Sequence, residues 1–314
     1  MQRISVCLLV LLGWMVVAPA QAEEKPSSIY NRKEDVVFAD VHGIGLLLDQ
    51  FTPVGEKNGL AIVDVVSGNF FSDRSKLRLH ERFGVYDEFC AKGYTVFAVR
   101  PGSMTKFAIP EMADHVKMAI RWVRLNHEKL GLNTEKMGIV GASAGGHLAS
   151  LVALTPDDGS PTSTEPLFRQ SCRVQAAAVF FPPADFLAWG NINVDTNKTP
   201  GLPIMFKNII FAGPAVPRSP ERLKEQIIKI SPAHQVKEDS PPFLLIHGDA
   251  DPIVPLQQSQ IFFQRLKEKG VDAELIIKPG GEHPWPTLRD EVKIAVQWVD
   301  RKLRGDVAEK SASK

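Results

Sequence analysis

The chain reads as an α/β protein, a mostly parallel sheet with helices on both faces. Three observations predict this. "LAIVDVV" (60–66) is a near-continuous apolar run, as a strand covered on both faces requires. Strand-length apolar runs alternate with longer segments of helical spacing from one end of the chain to the other. Once a 22-residue leader is set aside, the rest of the 314-residue chain fits one large domain better than two ordinary ones.

The elements follow in order. "MQRISVCLLVLLGWMVVAPAQAEE" has a positive start at Arg3, an apolar core from Ile4 to Ala18, and a small-x-small exit at Ala20-Gln21-Ala22. That is the layout of a secretory signal peptide over residues 1–22, too short in its apolar part to span a bilayer. A secreted or periplasmic location follows, with no membrane span after signal removal. A polar leader (23–34) precedes the domain, which is expected over 35–304. "VVFAD" (36–40) and "GLLLDQF" (45–51) are strand-like, joined by a hairpin at His42-Gly43. "KLRLHERFGVYDEFCAKG" (76–93) has helical spacing at Leu79, Phe83, Tyr86 and Cys90 and stops at Gly93. "YTVFAV" (94–99) is the next strand. "PEMADHVKMAIRWVRLNHEKLG" (110–131) is a helix with Pro110 at its start and Gly131 past its end.

"KMGIV" (136–140) is a strand and "AGGHLASLVAL" (144–154) a helix. Residues 155–171, rich in Pro, Ser, Thr and Asp, read as a loop. "VQAAAVFF" (174–181), "FLLIHG" (243–248) and "DAELIIK" (272–278) are strands. "PLQQSQIFFQRLKEKG" (255–270) and "PTLRDEVKIAVQWVDRKL" (286–303) are helices. Residues 182–241 contain nine prolines and a helix near 218–229; an insertion of this length in a compact domain reads as a lid or binding element. A disordered tail is expected over 305–314.

Composition narrows the function classes. Arg3 is the only charge before Glu23, so the chain's 37 basic and 36 acidic side chains balance once the signal is removed. With no basic tract, nucleic acid is not the expected partner. Of the three cysteines only Cys90 and Cys172 lie beyond the signal. They form no Cys-x-x-Cys or zinc spacing, and whether they pair is open. No metal and no organic cofactor is implied.

The chemistry concentrates in "GIVGASAGGHLAS" (138–150). Gly141-Ala142-Ser143-Ala144-Gly145 matches Gly-x-Ser-x-Gly and sits between a strand and a helix, where a sharp turn can hold a serine hydroxyl at the carboxyl edge of the sheet. Small residues on both sides permit that turn, and the Ala144 N–H at the new helix start can receive an oxyanion. A dinucleotide loop would need glycine where Ser143 stands. A serine hydroxyl requires a base and a group to orient that base. "LLIHGDADPIVP" places Asp251 just past a strand end, and "KPGGEHPWP" places His283 just past the next.

These residues carry a resemblance. "LLLDQFTP", "GASAGGHLAS", "SPAHQV…PPFLLIHGDADPIVP" and "GGEHPWP" stand in the order found in the α/β-hydrolase superfamily. The chain resembles its esterase/lipase branch near the acetyl xylan and feruloyl (carbohydrate) esterases, over roughly 35–303. The resemblance implies an eight-stranded α/β-hydrolase fold with the inserted segment as a lid. It also implies a triad of Ser143, Asp251 and His283. Asp251, with Val254 and Pro255, matches the family's Asp-x-x-Val-Pro and stands ahead of Asp249. His247, at the end of an apolar strand, reads as a structural hydrogen-bonder. His147 lies one turn beyond Ser143 and faces away from where the base must sit. His42, His80, His115, His127 and His234 read as surface or packing residues.

The match departs from the family at the second oxyanion donor. Family esterases carry His-Gly-Gly-Gly where this chain has Ser67-Gly68-Asn69-Phe70-Phe71, so Gly68 or Asn69 is expected to donate instead. Phe70, Phe71, Phe107, Phe181, Trp189 and Trp285 fall in segments expected at the carboxyl edge and suggest an apolar or sugar-stacking pocket. The expected function is a serine esterase acting on a small-molecule or carbohydrate ester. A prolyl-oligopeptidase-like serine peptidase is the second reading, disfavoured by the dozen or so residues before the first strand. A catalytically silent hydrolase fold used for binding is the third. Oligomeric state is not legible.

Overall fold

The computed structural model describes residues 29–190, the short strand Ile192–Asn193 and residues 220–305. The leader, the tail and most of the insertion, on which the signal and lid expectations fall, lie outside the described residues.

Eight strands form one sheet: β1 (Tyr30–Val41), β2 (Ile44–Pro53), β3 (Ala61–Val65), β4 (Thr95–Arg100), β5 (Met137–Ala142), β6 (Ala176–Phe180), β9 (Phe243–Gly248) and β10 (Ala273–Lys278). Their order is β1-β2-β4-β3-β5-β6-β9-β10, antiparallel at the β1–β2 and β2–β4 pairs and parallel elsewhere. The two-residue strands β7 (Ala188–Trp189) and β8 (Ile192–Asn193) make a separate ribbon. The hairpin between β1 and β2 turns on His42 (φ 54°) and Gly43 (φ 75°), the left-handed pair that a two-residue turn needs to match strand twist. β1 begins at Tyr30, inside the segment expected to be polar leader. Tyr30 is itself buried, edge-on to Phe51, and extends the strand beyond its apolar part.

Alternation along the central strands divides the core. Ala61, Val63 and Val65 face one layer, and Ile62 and Val66 the other. The first layer is covered by α3 (Ile109–Leu125), α5 (Ala144–Leu154), α6 (Pro220–Ile230) and α7 (Gln257–Glu268). The second is covered by α1 (Arg74–Arg82), α2 (Val85–Ala91) and α8 (Leu288–Arg304). Each fully buried large side chain, such as Trp298 or Phe262, contributes on the order of 1.5–3 kcal/mol.

Two sequence expectations need correction. The helix read over 76–93 is two helices, because Gly84 takes φ 76° and its Cβ position is filled by the Arg289 side chain, 2.7 Å away. Asp73 caps the first of them, accepting from the Ser75 N–H at 2.7 Å. The helix read over 110–131 breaks at Asn126, and the single turn α4 (His127–Leu130) completes it before left-handed Gly131. Glu111 reaches back to the Ala108 N–H at 2.8 Å and fixes the start of α3. Cys90 and Cys172 are both free and buried, and burial pushes the Cys90 thiol up to about 12.

Candidate active site

The parallel strands end on one edge, and three loops from β5, β9 and β10 meet there. Ser143 occupies the turn between β5 and α5 with φ 54° and ψ −124°, outside the regions an ordinary residue prefers. The turn is held on both sides. The Ser143 N–H donates to Phe180 O, and the Gly145 N–H donates to Ser67 O, each at 2.9 Å. The two motif glycines are required sterically. A Cβ on Gly141 would lie 2.5 Å from Gly145 O, and one on Gly145 would collide with Val65 O.

Asp251 folds back in the loop after β9. One carboxylate oxygen, Oδ1, accepts the N–H groups of Ile253 (2.8 Å) and Val254 (2.9 Å). The other, Oδ2, lies 2.6 Å from His283 Nδ1, and His283 Nε2 lies 2.8 Å from Ser143 Oγ. The ring of His283 rests against Phe181, with centroids 4.4 Å apart. Burial by itself would raise the Asp251 carboxyl, but hydrogen bonds from His247 and His283 outweigh it and hold the group well below the usual carboxylate range. It is therefore ionised at neutral pH and can fix the imidazole with its proton on Nδ1, leaving the Nε2 lone pair for the hydroxyl.

Of the competing side chains, Asp249 and His147 have other partners, and His247 stands behind the acid with Nε2 3.4 Å from Asp251 Oδ2. Asp249 Oδ1 accepts the Gly280 N–H at 2.6 Å and ties the loop after β10 to that after β9. His247 is buried between Ser259 Oγ (2.7 Å) and Val254 O (2.9 Å). His147 is fully buried behind the elbow with Nδ1 donating to Pro183 O at 3.0 Å, and burial lowers its pKa to about 4.

The loop after β3 is tied to this turn by the Gly145–Ser67 bond. Asn69 (φ 50°) and Phe70 (φ 59°) both take left-handed backbone. Gly68 is not available, since its N–H donates to Phe71 O at 2.9 Å in a closed two-bond bridge with the Phe71 N–H. Among the described residues, the N–H groups of Asn69 and Ala144 have no hydrogen-bond acceptor. They flank the strut between Ser67 O and Gly145 N.

A cleft of about 220 Å³ contains Ser143 and His283 and is walled by Asn69, Lys76, Phe83, Phe181, Ile253 and Leu288, among others. Of the aromatic residues expected in the pocket only Phe181 is there. Phe70 is buried edge-on to His147, Phe71 is committed to the bridge with Gly68, Trp189 stacks on Phe186, and Trp285 is buried with its Nε1–H donating to Glu291. Phe107 packs edge-on to His115. All five sit in segments near the carboxyl edge, but none of them lines the cleft.

Sequence reading also missed a buried pair beside the cleft. Asp64, the one charge within β3, lies 2.8 Å from His80 Nδ1 on α1 and accepts the Tyr86 hydroxyl at 3.1 Å. An aspartate inside an otherwise apolar strand was the available signal, because a buried carboxylate needs a partner.

This sheet order, with a serine on a strained strand-to-helix turn and acid and histidine on the loops of the last two strands, defines an α/β-hydrolase. The chain belongs to the BD-FAE family, whose model matches residues 48–266. It is 32% identical over 160 residues to a probable carboxylic ester hydrolase, LipM, of Mycobacterium tuberculosis, an alignment covering 51% of this chain and 34% of LipM. The chain spans less than half the length of the curated relatives it matches. Among solved structures, a truncated carbohydrate esterase from gut microbiota superposes with a TM-score of 0.74 at 23% identity, covering 89% of this chain and 99% of that one. A bifunctional GH43-CE protein of Bacteroides eggerthii superposes at 0.70 with 28% identity, covering 86% and 38%.

Proposed function

We propose that the chain is a serine hydrolase that cleaves carboxylic esters through an acyl-enzyme. The observation that carries this reading is the continuous line of hydrogen bonds from Ser143 Oγ through His283 to Asp251, at 2.8 and 2.6 Å. Ser143 Oγ attacks the ester carbonyl while His283 Nε2 takes its proton. The carbonyl oxygen becomes an anion facing the free N–H groups of Ala144 and Asn69. Collapse expels the alcohol, which leaves with the proton from His283. A water then gives a proton to His283 and attacks the acyl carbon, and the acid departs as Ser143 recovers its hydrogen. Asp251 orients the imidazole throughout and balances its charge.

The relatives support an ester bond as the target, since LipM is described as a carboxylic ester hydrolase and the gut structure as a carbohydrate esterase. Acetyl or feruloyl esters of carbohydrate are the substrates we propose within that class. Residues 1–22 are proposed as a secretory signal peptide, giving a secreted or periplasmic enzyme. No helix among the described residues is long and apolar enough to cross a membrane. The part of 182–241 outside the described residues is proposed as the lid.

A fluorophosphonate probe should label the wild type and not Ser143→Ala. The wild type should hydrolyse p-nitrophenyl acetate and leave an aminoacyl-prolyl anilide intact. Equal labelling of both proteins would assign the nucleophile elsewhere, preferential anilide cleavage would make the chain a peptidase, and inertness toward every activated ester would leave only a binding role. Acetylated xylan and methyl ferulate then separate the proposed substrates.

A further inference from the structure

The cleft beside Ser143 has an asymmetric charge. None of its walls is an aspartate or glutamate, yet Lys76 and His80 both line it. Lys76 is positioned by its stem, whose Cδ lies 3.0 Å from where a Cβ on Gly68 would be, so the side chain runs along the loop that carries Asn69. Its ammonium makes no ion pair within 4 Å among the described residues. Asp73, one turn earlier on the same helix, feels its charge only through space and is itself bonded to Ser75. Lys76 is half-buried as a residue, and an ammonium without a counter-ion favours an anion in the space it faces.

His80 is the second half of the arrangement. Its residue is 7% exposed, and Nδ1 is held by both oxygens of buried Asp64 at 2.8 and 2.9 Å. No hydrogen bond to Nε2 is made among the described residues, so that nitrogen is left for the cleft the ring lines. A carboxylate holding Nδ1 fixes the ring's orientation, as second-sphere carboxylates do for functional histidines. His80 is not part of the Ser143–His283–Asp251 line, and α1 puts it and Lys76 four residues apart on one face.

We propose that Lys76 and His80 form a subsite that binds a carboxylate group of the ester substrate beside Ser143. The proposal rests on the ester-hydrolase reading above and adds the substrate class: an ester carrying a free acid on its acyl or its alcohol portion. A carboxylate can take the Lys76 ammonium on one oxygen and, with His80 as the imidazolium whose Nδ1–H is held by Asp64, the His80 Nε2–H on the other, while the apolar wall of Phe83, Leu288 and Ile253 holds the carbon skeleton. The subsite changes no bond; it orients the substrate.

The test compares matched pairs. On the acyl side, p-nitrophenyl hemisuccinate is set against p-nitrophenyl methyl succinate. On the alcohol side, 4-acetoxybenzoate is set against 4-acetoxybenzamide. For one of the pairs kcat/KM should favour the acid about tenfold or more, as expected for a charge-assisted bond, and the preference should shrink as salt is raised. Lys76→Met, which keeps the stem over Gly68, should lower that acid-to-neutral ratio about tenfold, and Lys76→Arg should retain it. Each ratio is taken within one protein, so a general loss of activity in a variant cancels. Ratios near one for both pairs in an enzyme that hydrolyses the neutral esters would overturn this inference alone. Inertness toward all four esters would instead count against the ester-hydrolase reading.

Discussion

Replacing Asp251 by Asn changes one atom, and the structure indicates how large the effect should be. Oδ1 of the present carboxylate accepts two N–H groups, from Ile253 and Val254, while Oδ2 faces His283 Nδ1. An amide must choose. Turning its NH₂ toward the two backbone donors would leave both unpaired, at about 1–3 kcal/mol each, so the amide oxygen should stay with them. The NH₂ then points at His283 Nδ1 and donates to it. That favours the tautomer with hydrogen on Nε2, which has no lone pair for the Ser143 proton. The expected loss in kcat is on the order of 10³–10⁴-fold, equivalent to about 4–5 kcal/mol of barrier, with KM little changed. Steady-state hydrolysis of p-nitrophenyl acetate by purified, folded protein measures it. Asp249→Asn is the control, since Asp249 binds the Gly280 N–H and should keep most of its rate. A loss below about tenfold in Asp251→Asn would refute the tautomer argument. So would a larger loss in Asp249→Asn than in Asp251→Asn.

Two further outcomes are expected. Asn69→Gly should retain turnover and gain stability, because the donor assigned to Asn69 is its backbone N–H and its φ of 50° suits glycine; a loss of about 10²-fold in kcat would show that the side-chain amide is the donor. His147, whose pKa falls to about 4 through burial, is neutral in the folded state, so its contribution is full above about pH 6.5 and is lost progressively as pH falls toward 4. Chemical denaturation across that window should show the wild type losing roughly 3 kcal/mol to this group, and His147→Gln should have a slope shallower by about one proton; an unchanged slope would assign the acid sensitivity elsewhere.

Sequence and structure agree most closely where a turn dictates residue type. Gly141 and Gly145 are legible because only glycine fits against Gly145 O and Val65 O, and Asp251 is legible because a Pro-bounded loop after a strand has few ways to fold. Side-chain direction at the sheet edge was not legible. Phe70, Phe71, Trp189 and Trp285 reach the correct end of the molecule but do not line the cleft; Phe70 packs on His147, Trp189 on Phe186 and Trp285 on Phe181. The Asp64–His80 pair was missed because strand and helix are sixteen residues apart, and no local pattern marks a histidine whose partner arrives through tertiary packing. The break at Gly84 was missed although its signal is local, a glycine in left-handed backbone whose N–H closes on Glu81 O.

The bond from the Gly145 amide to the Ser67 carbonyl has a kinetic consequence. It is a crossbar between the loop bearing one proposed anion donor and the helix bearing the other, so their separation is set when the chain folds and not when an ester arrives. Rapid mixing with an activated acyl compound should therefore release the first equivalent of leaving group without a lag. The same crossbar uses only main-chain atoms, which allows the side chains of residues 67–71 to depart from a glycine-rich pattern while the gap between the two donors is kept.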